Sequence, residues 1–139
     1  MQMNSLGLSV VVATSLVVAC AMEVTPAKPK PTPTLVEVWC GGDDGLTIRL
    51  RDTLESAFKS SPDFHLSSGK KPGTLVVTIP SNVGWKQVSW RTRVLYTAKF
   101  ASPDNQNLGG SKGSCWDDTL AKCAAQIVRD AKVAARQVR

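Results

Sequence analysis

Apolar and polar residues alternate from Leu35 to Trp39, with Val36 and Val38 on one face and Leu35, Glu37 and Trp39 on the other. A period of two predicts a β-strand. Cys40-Gly41-Gly42 ends that pattern, and Asp43 or Asp44 offers the side-chain acceptor that starts a helix. Leu46, Leu50, Leu54, Ala57 and Phe58 then recur at three- and four-residue steps, which is one apolar stripe of a helix. Ser60-Ser61-Pro62 stops it, because proline disfavours helix in the residue before it. A short strand is expected at Phe64–Leu66, followed by a turn at Lys70-Lys71-Pro72-Gly73. From Thr74 to Ile79 the chain reads as a buried strand with Leu75, Val77 and Ile79 toward the core. Pro80 to Gly84 breaks it.

The longest alternation runs from Arg91 to Phe100. Thr92, Val94, Tyr96, Ala98 and Phe100 share one face, while Arg91, Arg93, Leu95, Thr97 and Lys99 share the other. One packed and one wetted face is usual in antiparallel sheets. The pattern leaves open whether Gln87–Trp90 joins this strand or the loop before it. Ser102 to Gly110 has the composition of a turn, and a glycine-rich strand follows from about Ser111 to Trp116. Asp117-Asp118 start the last helix, whose inner face is Leu120, Cys123, Ala124, Ile127, Val128, Ala131, Ala134 and Val138. Arg129, Lys132, Arg136 and Arg139 sit toward its negative end, where the helix dipole alone accounts for them. The order strand, helix, strands, helix predicts an α+β fold. It is a two-layer sandwich with both helices packed on one face of a largely antiparallel sheet of about four to five strands.

The residues before this domain describe export. Leu6 to Met22 carries no charge and is built mainly from Leu, Val, Ala, Ser and Thr with small residues near its end, the form of a secretory signal over residues 1–22. It falls short of the roughly 20 apolar residues that span a bilayer comfortably, and it lacks a Lys or Arg before the apolar run. Val17-Val18-Ala19-Cys20 resembles a bacterial lipobox, in which cleavage leaves Cys20 lipidated at the new N-terminus; Ala19 and Ala21 equally supply a cleavage site after Ala21. A Pro/Lys-rich disordered tether, residues 23–34, comes next. As extended polyproline II it spans about 40 Å, a useful stalk between a lipid anchor and a single domain over 35–139.

Either processing route removes Cys20 from the disulfide count, leaving Cys40, Cys115 and Cys123. An oxidising compartment favours one bridge among them. Cys115 near a strand end and Cys123 on the inner helix face are the expected pair, closing a short loop worth about 2.6 kcal/mol; Cys40 is the rival partner for either. Three cysteines without a nearby His match no standard zinc spacing, so no metal is expected.

The sequence holds 17 Lys and Arg against 11 Asp and Glu, a net charge of +6. That excess favours acidic partners. After export these are an envelope protein, an acidic cell-wall polymer or the membrane surface, and no nucleic acid partner is expected.

This layout behind a lipoprotein-like leader resembles the amino-terminal domain of TolB and related domains of outer-membrane export lipoproteins. The resemblance covers Leu35 to Arg139 as a pattern of elements with no shared motif, so no functional residue follows from it.

Chemistry of the enzymatic kind has few candidates. His65 stands alone. Asp43-Asp44 and Asp117-Asp118 each begin a helix, and capping accounts for them; only if both helices started at one sheet edge would four carboxylates be placed to converge on Ca²⁺. Gly41-Gly42 lacks the Lys and Ser/Thr of a phosphate loop, and no cofactor is expected. Binding has more support. The sheet face left uncovered by the helices carries Trp39, Val76, Thr78, Arg91, Arg93, Leu95 and Lys99, and interleaved Trp and Arg are the residue types that anchor interfaces. Trp85 and Trp90 either add an exposed aromatic edge or cover the end of the core. The expectation is a non-enzymatic periplasmic lipoprotein of the outer membrane whose basic domain engages another envelope component. Its alternative is a soluble secreted binding protein or inhibitor without an anchor.

Overall fold

Alternation at the start of the domain becomes strand β1 (Thr34–Cys40), one residue earlier than the pattern indicates. The computed structural model describes residues 32–69 and 71–138. The export segment, Cys20 and most of the tether, together with Lys70 and Arg139, lie outside the described residues. Helix α1 (Gly45–Ser60) follows, with Asp44 as its N-cap: the Asp44 carboxylate accepts from the Thr47 amide at 2.7 Å. Hydrogen bonding from Thr47 holds that carboxyl below its ordinary value. The remaining elements are β2 (Phe64–Leu66), β3 (Leu75–Ile79), β4 (Gly84–Val88), β5 (Arg91–Ala101), β6 (Asn107–Trp116) and helix α2 (Leu120–Ala135).

These make a two-layer α+β fold with both helices on one face of a sheet, as the order of elements predicts. The sheet has six strands and is mixed. β1 pairs in parallel with both β2 and β3, while β3, β4 and β6 all pair antiparallel to β5. β3 and β4 lie in succession along one edge of β5, and β6 lies along the other. Ser89 and Trp90 form the tight turn between β4 and β5; Ser89 takes φ of 57°, as the first central residue of a primed hairpin turn requires.

Pro80–Val83, between β3 and β4, is secured from α1. The Thr47 hydroxyl oxygen accepts from the Val83 amide at 2.9 Å, and Asn82 Oδ1 accepts from the Asp43 and Asp44 amides at 2.8 and 3.1 Å. Thr47 is fully buried for this purpose, although nothing in the apolar stripe marks it.

The core lies between the layers: Val36, Leu75, Val77, Val94, Tyr96 and Phe100 from the sheet meet Leu50, Leu54, Phe58, Ile127 and Ala131 from the helices. Gly113 stands opposite Tyr96, where a Cβ would come within 2.8 Å of the phenol oxygen. The Tyr96 hydroxyl meets Ser111 Oγ at 3.1 Å, and Ser111 Oγ donates to Asp130 Oδ2 at 2.5 Å. That chain of polar groups pins α2 to β6. Cys115 and Cys123 are joined by a disulfide, with Cα atoms 5.7 Å apart, and Cys40 is a free thiol.

Several expectations need correction. Residues 107–110, read as turn by their Asn and Gly, already belong to β6. Asp117–Thr119 form a 3-10 turn before α2, and no side chain caps either of them. Val138 lies beyond the end of α2, though still packed against the core. Val76 does lie on the open face, out of phase with Leu75 and Val77 and outside the core cluster, but it is only 7% exposed there. Beside it Glu37 is nearly as buried, its Oε1 accepting from the Gly69 amide at 3.2 Å.

Candidate binding site on the open sheet face

Register decides which side chains share the uncovered face. Lys86 on β4 stands opposite Arg93 on β5, and Arg93 stands opposite Trp116 on β6. One step along, Leu95 lies between Gly84 and Ser114. Further along, Lys99 pairs with Thr78 on β3, and Thr78 pairs with Trp39 on β1. Trp39, Arg91, Arg93, Leu95 and Lys99 are therefore on one face, with Trp39 two strands away from Lys99 in the same row. Trp39 is 50% exposed and Leu95 44%.

Trp116 joins this group without having been singled out in the sequence. The Arg91 guanidinium lies 4.2 Å and that of Arg93 4.9 Å from its ring centroid. Parity alone places Trp116 on the open face, since Cys115 before it faces the core; that it stands opposite Arg93 comes from the register. Arg93 Nη2 also donates to Ser114 Oγ at 2.8 Å. Arg91 is held more tightly, with Nη2 2.9 Å from Asp118 Oδ1 and the guanidinium 5.5 Å from the Trp90 ring. Lys86, Lys99 and Lys112 are exposed on the same side.

On the helix side β4 extends past the packed layer, and every residue of it is exposed. Trp85 is 62% exposed there and walls a cleft of about 370 Å³ with Asp44, Leu46, Thr92 and Asp117. Trp90 at the hairpin tip is 81% exposed. Both tryptophans therefore add aromatic edge and do not cap the core. The helices do start at one end of the sheet, but their carboxylates are divided among other duties. Asp44 caps α1, Asp43 Oδ1 accepts from Asn82 and Asp118 pairs with Arg91. No three possible metal ligands converge among the described residues. His65 is exposed on β2, at the far side of the sheet. None of the described helices is long and apolar enough to cross a membrane.

No family model matches this chain, and no curated protein matches it. Among solved structures it is similar to a minor lipoprotein from Acinetobacter baumannii, at 10% identity and a TM-score of 0.54 over 76% of this chain and 93% of that one. A PelC dodecamer subunit from Paraburkholderia phytofirmans aligns at 8% identity and a TM-score of 0.46, over 73% and 85% of the two chains. At 10% identity the likeness to the Acinetobacter baumannii protein concerns the fold alone.

Proposed function

We propose that this chain is a non-enzymatic cell-envelope lipoprotein, held in the outer membrane through lipid on Cys20, whose basic domain binds another, acidic envelope component through the open sheet face. The observation that carries the reading is the face itself. It presents Arg93, Lys99, Lys86 and Lys112 around exposed Leu95 and Trp39, and its cations outnumber its acids. Arg with Trp supplies the desolvated, directional contacts that anchor interfaces, and the charge excess steers an acidic partner toward it. The lipobox-like residues before Cys20 and the tether after it support anchoring, and the fold shared with a lipoprotein from Acinetobacter baumannii is in keeping with it.

Anchoring and binding are tested separately. Labelled palmitate should enter the wild-type chain and not Cys20→Ser; label in neither would leave the soluble secreted form. Capture from solubilised membranes should recover an envelope component with the wild-type domain and lose it in Arg93→Glu with Lys99→Glu. Capture indifferent to that pair would reduce the face to plain solvated sheet.

A further inference from the structure

Lys86 and Arg93 are directly opposed across the β4–β5 hairpin, both on the open face. Like charges in that position are destabilising. The ion pairs among the described residues join Arg51 to Asp52, Arg91 to Asp118 and Lys132 to Asp63, and leave both of these cations out. Arg91, one step away, already has its carboxylate. The fold thus keeps an uncompensated pair of cations where a single acidic residue would relieve it.

The surroundings indicate what shape of ligand would relieve it instead. Trp116 lies beneath the Arg93 guanidinium and Ser114 takes one of its donors, so the guanidinium plane is fixed while further N–H groups remain at its edge. A planar donor edge beside an ammonium suits a carboxylate. Along β5 the ground is low: glycines flank Leu95 and Lys99 at positions 84 and 110, and Lys112 stands opposite Thr97. From Arg93 to Lys99 the strand covers about 20 Å. A line of cations with small residues beside it, and with exposed Leu95 and Trp39 as apolar footing, matches an extended chain better than a protruding loop of a folded protein.

We infer that this line is a site for an extended acidic polysaccharide, with one carboxylate seated between Lys86 and Arg93 and others met by Lys99 and Lys112. The inference rests on the reading of the open face as a binding surface and names its ligand class. An anionic bilayer is the less suitable occupant. Its charges are spread over a plane, whereas these cations follow one line along β5, and Arg91 at the end of that line is already paired with Asp118.

The test uses the full chain in detergent, titrated with polygalacturonate, with dextran of the same length, and with phosphatidylglycerol vesicles. Polygalacturonate should bind, more weakly as salt rises. Lys86→Gln with Arg93→Gln should lower its affinity about tenfold or more. The same variant should melt close to wild type, because relief of the opposed like charges offsets the lost stack on Trp116 and the lost bond to Ser114. Lys99→Gln with Lys112→Gln, at exposed positions, should weaken binding without touching the stacked guanidinium. Dextran binding as tightly as the acidic polymer would overturn the inference, as would vesicles binding through the Lys86–Arg93 pair in its place. If the polymer does not bind but the pair is needed for capture of an envelope partner, the ligand class fails and the binding face stands. If the pair matters to neither, both fail.

Discussion

Arg91 Nη2 lies 2.9 Å from Asp118 Oδ1, which ties the β4–β5 hairpin to the turn that starts α2. The same guanidinium lies against Trp116 and, less closely, Trp90. Arg91 and Arg93 share a face and a strand, yet they do different things. Arg91 is spent on the fold, whereas Arg93 takes part in none of the ion pairs among the described residues.

Charge reversal should separate the two. Arg91→Glu breaks the ion pair and both stacking contacts and sets a carboxylate against Asp118, for a loss of about 1–2 kcal/mol. Arg93→Glu gives up one stack but places a carboxylate opposite Lys86, so its stability should change by less than about 0.5 kcal/mol. Urea denaturation of the two single variants measures this. Equal losses would mean that Arg93 also clamps the hairpin.

Thr47 offers a second, buried test. Its hydroxyl oxygen is the acceptor for the Val83 amide where the chain passes from β3 to β4. Thr47→Val keeps the shape and strands that amide, at a cost of about 1–3 kcal/mol. A denaturation midpoint equal to that of the wild-type protein would show that water reaches Val83 and takes over the bond.

What the sequence made legible was set by burial. β1, β3, β5 and both helices each have one face in the core, so their periods of two and 3.6 are plain, and the side assignment of Arg93, Leu95, Lys99 and Trp39 follows from parity. β4 was not legible because it projects past the helices: with both faces wet, Trp85-Lys86-Gln87-Val88 has no apolar rhythm to read. The parallel pairing of β1 with β2 and β3 was equally hidden, since alternation says which face a residue takes and nothing about strand direction. Trp116 was missed as a member of the site for a related reason. Its importance comes from standing opposite Arg93, which only the register reveals.

Cysteine chemistry should follow the observed pairing. With Cys115 bonded to Cys123, the oxidised domain has Cys40 as its reactive thiol, half-buried with Sγ 3.4 Å from the Gly42 carbonyl oxygen. Alkylation of oxidised protein in denaturant should mark Cys40, and reduction should expose the other two. Removing the bridge by Cys115→Ala with Cys123→Ala should destabilise the domain by about 2–3 kcal/mol. Peptide mapping that found Cys40 in the bridge would overturn the pairing.

Tyr96 makes stability depend on pH at the alkaline end. It is the single tyrosine of the sequence, it is 3% exposed, and burial raises its pKa above the ordinary 10.0, with the nearby Asp130 carboxylate acting in the same direction and the bond to Ser111 opposing. A buried phenol is neutral in the folded state and ionises more readily once unfolded. Its contribution is therefore fully present below the ordinary tyrosine pKa and is lost as pH rises through the higher folded value. Because there is one tyrosine, the ultraviolet signal of phenolate reports this residue alone. It should appear above the ordinary value, together with loss of structure. Tyr96→Phe removes the hydrogen bond to Ser111 and should cost about 0.5–1.5 kcal/mol near neutrality. In strong alkali the variant loses this source of instability, so its stability curve should approach or cross that of the wild-type protein, lysines contributing equally to both. Phenolate forming at the ordinary value in a protein that stays folded, or two curves running parallel throughout, would mean that the Tyr96–Ser111–Asp130 chain is open to water and does not fasten α2 to the sheet.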